Sequence, residues 1–310
     1  MDIDIDMRNK VNLLSDNNRE IKKVFRWDGK IVNLLEGLLY DRTDKEFDFR
    51  KIKEMRKHLK KSKSHFTNLS INIFTLLMEE NKDFNQVFQS TNSAYYHLVS
   101  KNFAKGDKLA FASFIMAKRY SGQELSDRID KLIEIKNSFL GDDYVGYANL
   151  AVSNKSLDTI IEEFKLIKER IDEARISDLC DSSALALSLV MQHNDINEKV
   201  EKALSILCNI KSEMFSIPFK AYPLVGLSNI VVKDPENFSK ELSDVFNILN
   251  EKKYFKYFIK KENKIVFALG VILNKYVEEV RADLIDVEIK DEKYLLLAIE
   301  EYIVFSLTSL

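Results

Sequence analysis

Two patterns of apolar and polar positions alternate along this chain. In the first, apolar residues run almost unbroken for about two helical turns. It appears at ASFIMAK (112–118), ANLAVSN (148–154), LSLVMQH (187–193), LSNIVVK (227–233) and LGVILNK (269–275). Two related segments come earlier, EGLLYDR (36–42) and FTLLMEE (74–80). In the second pattern, apolar residues keep helical spacing and charges fill the other positions. Stretches 125–139, 157–171, 196–210 and 238–250 read this way. In 157–171, Ile160, Ile161, Phe164, Ile167 and Ile171 form the stripe, and Glu162, Glu163, Lys165 and Glu169 lie outside it. The alternation predicts a buried helix A, a polar turn, and a half-exposed helix B, over and over.

The A segments align on a column of small or short polar residues: Gly37, Thr75, Ser113, Asn149, Ser188, Ser228 and Gly270. The intervals are 38, 38, 36, 39, 40 and 42 residues. Helices cross at short distance only where a side chain is small, so such a column predicts the same crossing in every unit. A single helix pair cannot bury its apolar face alone, but stacked pairs can. The expected fold is therefore all-α, a HEAT-like α-solenoid of about six or seven stacked pairs, because the period approaches the 40 to 47 of such units. It forms one domain over residues 1–310. Pro218, Pro223 and Pro235 all lie near the connection 211–222, which predicts a kink or seam there. The stretch 251–264 inserts Tyr254, Phe255, Tyr257 and Phe258 among lysines, and packing against the stack is the expectation.

Composition supports helices and excludes much chemistry. The chain has 8 glycines and 3 prolines in 310 residues; average usage would supply roughly 22 and 15. Sheets with many tight turns and phosphate-binding loops consume glycine that is not here. No GxGxxG, GxxxxGK[ST] or GxSxG occurs, and no CxxC. The formal net charge is −2, so no global field favours nucleic acid or an anionic membrane. No apolar run approaches the 18 residues needed to span a bilayer, and the acidic start MDIDIDMRNK is no signal peptide. A cytoplasmic protein with no membrane partner follows as the expectation. Cys180 and Cys208 sit in apolar settings and read as buried free thiols.

Three segments, FRWDGKIVNLLEGLLY (25–40), AYYHLVSKNFAKGDKLAFASFIMA (94–117) and NSFLGDDYVGYANLAV (137–152), carry a family resemblance. In order and spacing the chain resembles the bacterial family called domain of unknown function 4003, found mainly in Firmicutes. The resemblance implies a cytosolic helical bacterial protein and no particular activity.

Metal-binding spacings such as HExxH are absent around His58, His65, His97 and His193. His193 reads as a solvated turn residue and His97 as semi-buried packing beside Tyr95 and Tyr96. Asp142 and Asp143 follow Gly141 at the start of a helix A, where carboxylates cap free N–H groups. No catalytic residue, metal or cofactor is assigned. The sharpest charge feature is 46–65, with eight Lys or Arg against three acids, net +5. Phe49, Ile52, Met55 and Leu59 form its apolar stripe, so Arg50, Lys53, Arg56, Lys57, Lys60, Lys61 and Lys63 are expected on its exposed side. Stretch 278–301 has nine acids and three bases, net −6, which would allow an anionic partner at the basic end or head-to-tail association. Lys131, Glu134, Lys165 and Lys168, with Glu201 and Lys202, are candidates on the B helices. The leading expectation is a noncatalytic protein- or peptide-binding helical-repeat module. Nucleic-acid binding through the basic helix, with Trp27, is one alternative; a small-molecule binder or enzyme with an apolar pocket is the other.

Overall fold

Among the described residues the alternation becomes helices. The computed structural model describes residues 3–25, 30–39, 49–61, 66–78, 83–139, 141–174, 182–213, 216–285 and 292–308. Among these residues the regular elements are sixteen α-helices and one short 3-10 turn, with no strand. The first half of the chain forms α1 (Ile3–Val24), α2 (Lys30–Leu39), α3 (Phe49–Lys61), α4 (Asn68–Met78) and α5 (Phe84–Ser100). Next come α6 (Asp107–Arg119), α7 (Gly122–Ser138), α8 (Tyr144–Val152) and α9 (Leu157–Glu173). Then follow α10 (Ser182–Val190), α11 (Ile196–Ser212), α12 (Tyr222–Val231) and α13 (Pro235–Glu251). The chain ends with α14 (Lys253–Phe258), α15 (Lys261–Arg281) and α16 (Glu292–Thr308).

Two compact units divide the chain: residues 46–163 form one, and residues 1–45 with 164–310 form the other. In the 46–163 unit, α4, α6 and α8 pack in succession, with α3 on α4 and α5 and α7 against α6. In the larger unit, α10, α12 and α15 pack in succession, and α11 and α13 flank them. There α1 also packs on α13 and α15, and α2 on α16. Those contacts join helices more than two hundred residues apart, beyond the nearest-neighbour order of a simple repeat. The stripe Met7, Val11, Leu14, Asn18 and Ile21, at helical spacing and buried, is what lets α1 dock.

The segments that are apolar all round are buried all round. Every residue of α8, Tyr144 to Val152, is buried, as are residues 109–117 of α6 and 264–275 of α15. The small column falls on α2, α4, α6, α8, α10, α12 and α15, and all seven residues are buried. Their hydroxyls, and the side-chain N–H of Asn149, donate within their own helices. Thr75 and Ser113 hydroxyls donate to the carbonyls of Ile71 and Leu109, both at 2.8 Å. Ser188 and Ser228 donate to Leu185 and Val225 at 2.7 and 2.6 Å, and Asn149 Nδ2 to Val145 at 3.2 Å. This back-bonding lets a hydroxyl be buried without an orphaned donor. Among the described glycines, the tightest contact is where α10 meets α12. A Cβ added at Gly226 would stand 1.9 Å from Ser188 Oγ and 3.0 Å from Ser188 Cβ.

The prolines start helices. Pro223 and Pro235 occupy the opening positions of α12 and α13, where a missing N–H costs nothing. Pro218 precedes the 3-10 turn Phe219–Ala221 that leads into α12. The predicted seam at 211–222 lies inside the larger unit, as the connection from α11 to α12. Aspartates open several helices: Asp143 accepts from Gly146 N at 3.0 Å, Asp195 from Asn197 N at 2.8 Å, and Asp234 from Glu236 N at 3.0 Å. Asp143 thus caps as expected, while its neighbour Asp142 pairs with Lys108 at 3.0 Å.

Gly226→Ala should destabilise the chain by about 1–3 kcal/mol, the typical cost of overpacking a close crossing. Ser188→Gly in the same chain should recover much of it. A thermal-melt double-mutant cycle checks this, and additive effects would mean that the two positions do not share the crossing.

Candidate binding surface

The basic stretch folds as an amphipathic helix, α3, whose buried side holds Ile52, Met55 and Leu59. At 3.6 residues per turn, Lys60, Lys53, Lys57, Arg50 and Lys61 fall within about 100° of its circumference, opposite that stripe. All five are exposed. Glu54 and His58 come next around the helix, also exposed, and the His58 ring meets Phe84 edge-on at 5.7 Å. Arg56 departs from the expectation. It lies at the edge of the apolar stripe and is 6% exposed, so it belongs to the buried side and not to the cationic ribbon. Lys63, Trp27 and Cys180 lie outside the described residues.

The B-helix candidates separate in the structure. Glu134 and Lys165 are exposed as expected. Lys168 is half-buried and pairs with Asp172 one turn on, at 2.6 Å. Its hydrogen bond holds the Asp172 carboxyl below the usual range. Glu134 belongs to the 46–163 unit, and Lys165 and Lys168 to the larger one. Lys131 is not a surface contact. It is half-buried, and its ammonium donates to the carbonyls of Ser153 at 2.9 Å and Lys155 at 2.6 Å. Arg128, one turn earlier, donates to Ala151 at 3.1 Å and Ser153 at 3.0 Å. Together they close the C-terminal end of α8, where carbonyls lack partners and the helix dipole is negative. Lys202 does the same for α12 by donating to Asn229 O at 2.7 Å. Arg128 and Lys202 each stand at the seventh residue of their helix. In sequence both stand directly before a residue of the buried stripe, Ile129 and Ala203.

Interior polar groups also serve the frame. Asn229 Nδ2 donates to Lys199 O at 2.7 Å, Gln192 Nε2 to Gly226 O at 2.8 Å, and Lys199 Nζ to Gln192 O at 3.2 Å, which ties α10, α11 and α12 together. The Tyr276 hydroxyl donates to buried Glu241 at 2.9 Å. Burial first, then the Glu241 charge, pushes that phenol up. Burial also raises the Glu279 carboxyl, against the opposing pull of Lys275. The acidic end is internally engaged: Glu278 pairs with Lys10 at 2.8 Å, Glu279 with Lys275 at 3.5 Å, and Glu300 with Arg281 at 2.7 Å. Those pairs leave less charge for head-to-tail attraction than the sequence count suggests. Among the described residues no group of three or more His, Cys, Asp or Glu is placed to hold a metal ion.

Three smaller expectations change. Cys208 is a free, exposed thiol, because the buried stripe of α11 passes through Ala203, Ile206, Leu207 and Ile210 and steps past it. His97 is exposed, while Tyr95 beside it is buried. In α14, Phe255 packs edge-on against Phe267 at 5.5 Å as expected, but Tyr257 and Phe258 face outward. No helix in the described residues is long and apolar enough to cross a membrane.

Burial, then the nearby Arg128 charge, pulls the Lys131 ammonium down to about 8. Burial lowers Lys202 and Lys264 in the same direction. Between about pH 8 and the ordinary lysine range, these lysines bind more protons in the unfolded chain than in the folded one. Their contribution to stability should therefore rise with pH across that window, opposed toward pH 10 by buried tyrosines such as Tyr276, which hold their protons longer in the folded chain. Lys131→Met should flatten part of the rise and lower stability at pH 7 by about 1 kcal/mol, through loss of the two carbonyl contacts. Denaturant melts at pH 7, 8.5 and 10 check both; an unchanged slope would mean that Lys131 titrates as a free side chain.

No curated protein and no solved structure matches the chain. The model of one family, described as protein of unknown function (DUF4003), matches residues 17–304. With nearly the whole chain inside that match, the protein belongs to the DUF4003 family.

Proposed function

We propose that the chain is a noncatalytic helical-repeat module, a HEAT-like α-solenoid in architecture, that binds an acidic segment of a protein or peptide along the exposed face of α3. The cationic ribbon of α3 carries the reading. From Arg50 to Lys61 it runs about 16 Å at 1.5 Å per residue, the length of about five residues of extended peptide. Four of its five cations are lysines, compact charges on flexible stems that meet carboxylates without a fixed geometry. The recurrence of the small buried column at intervals of 36 to 42 residues supports the repeat, as do the matched capping positions of Arg128 and Lys202. The contacts of α1 and α2 with α13, α15 and α16 add a second level of packing to such a repeat. The cytoplasm is the compartment that suits a free thiol such as Cys208.

The same ribbon favours a second reading, contact with a nucleic-acid backbone. Two observations weigh toward protein. The exposed described side chains of α3 are Arg, Lys, Glu and His, with no Phe, Tyr or Trp for a base to stack on, and the His58 imidazole already meets Phe84 edge-on. The chain as a whole is net −2.

A fluorescent poly-glutamate peptide should bind the full chain saturably at about 50 mM salt and weaken as salt screens the ribbon. Lys53→Glu, Lys57→Glu and Lys60→Glu together should reduce binding about tenfold or more, with helical content unchanged by circular dichroism. Equal binding by the triple variant would remove α3 from the reading. Retention of duplex or single-stranded oligonucleotide in place of the peptide, with a salt slope up to about −4.5 for five phosphate contacts, would establish the second reading instead.

A further inference from the structure

Helix α14 offers chemistry that the binding face of α3 does not use. Its inner side is anchored: Phe255 is buried against Phe267, and the Lys22 ammonium stands 4.4 Å above the Tyr254 ring. Its outer side carries the most exposed pair of adjacent aromatic rings among the described residues, Tyr257 at 69% and Phe258 at 59%. Exposed Lys253, Lys256, Lys260 and Lys261 flank them in sequence. Over residues 251–262 five lysines face two glutamates, net +3, and one of those acids, Glu251, is paired with Arg8 at 2.6 Å.

Protruding rings flanked by lysines match a particular surface. Aromatic side chains settle at the boundary between lipid headgroups and acyl chains, while lysine stems reach the anionic phosphates. From these residues we infer that α14 is a peripheral attachment point for an anionic phospholipid bilayer. No spanning helix is required, only insertion of two rings and neutralisation by those lysines. The rings suit a fluid better than a nucleic acid. Side chains at consecutive helical positions diverge by about 100°, so they cannot form the parallel platform that successive bases need. Both rings are also partly engaged: the Lys256 ammonium lies 5.6 Å from the Tyr257 centroid, and Phe258 packs on Tyr254 at 5.6 Å. An acidic peptide would satisfy the lysines but gives no role to the rings.

Vesicle co-sedimentation of the full chain tests the inference. Phosphatidylcholine vesicles with about one third phosphatidylglycerol should retain it at low salt, and pure phosphatidylcholine should not. Tyr257→Ser with Phe258→Ser should lower the partition coefficient about tenfold, and Lys256→Glu with Lys260→Glu by at least as much. All four side chains are exposed, so melting temperatures should stay unchanged, and a melt verifies that each variant folds. The α3 triple variant should still sediment, which separates this surface from the peptide-binding reading. The inference is overturned if anionic vesicles retain nothing. It is equally overturned if the α14 variants sediment like the parent while the α3 variant is lost. Capture of single-stranded oligonucleotide, abolished by Tyr257→Ser, with no vesicle binding, would reassign the surface to nucleic acid.

Discussion

The close approach of buried helices constrains everything else in this chain. Where α10 meets α12, Gly226 leaves no room for a methyl group against Ser188. Where α15 meets α2 and α16, Gly270 stands in the same way against Leu38 and Ile303, at 2.9 and 3.2 Å from an added Cβ. At such distances the interior has no space for water to satisfy a polar side chain. The Ser and Thr of the column therefore turn back onto their own helix carbonyls. Small size permits the crossing, and the local hydrogen bond permits the hydroxyl to be there. A larger apolar residue would force the helices apart, and a longer polar one would need a partner that the neighbouring helix does not provide.

Burying short helices end to end creates a second demand. A helix such as α8, nine residues with all of them buried, has as many unpaired carbonyls at its end as a long one and nowhere to solvate them. The flanking B helices supply the donors. Arg128 and Lys131 close α8, and Lys202 closes α12. Part of the charge on the B helices is thereby withdrawn from solvent and from partners. Charge that is spent on the frame and charge that is free to bind look identical in a helical wheel drawn from sequence. Lys53, Lys57, Lys60 and Lys61 of α3 and Tyr257 of α14 remain exposed.

Much of the architecture was legible because its causes are local. The scarcity of glycine and proline pointed to helices, and the two periodicities located them. The segments at 157–171, 196–210 and 238–250 fall within α9, α11 and α13, and 125–139 overruns α7 by its C-cap Phe139 alone; each helix is 17 residues long. Asp143 was legible as a cap because capping depends on the next three residues alone. What escaped depends on contacts that the chain makes with itself far away. The docking of α1 and α2 on α13, α15 and α16 was signalled only by the stripe at Met7, Val11, Leu14 and Ile21, which says that α1 is buried but not against what. Lys131 looked like a surface charge because nothing local reveals that the end of α8 lies beside it. Arg56 was misplaced by one step around a helix, and Cys208 by one step off a stripe. Arg56 carries charge yet borders the stripe closely enough to be buried, and Cys208 has apolar neighbours in sequence yet lies off the stripe.

These distinctions bear on where function can reside in such a chain. The interior uses its polar groups to hold helices together: Gln192, Lys199 and Asn229 bind backbone across three helices, and Tyr276 donates to Glu241 between two. A buried group already committed to the fold is a poor candidate for chemistry, since any proton or ligand it took up would be exchanged against packing. Selection for a partner can act more freely on side chains whose loss leaves the core intact. The cations of α3 and the rings of α14 are of that kind: each helix is anchored by its own apolar residues, Ile52, Met55 and Leu59 in one and Phe255 in the other. Because the anchor and the outward face share a helix but not a side, recognition can change without disturbing the crossing of small residues beneath it.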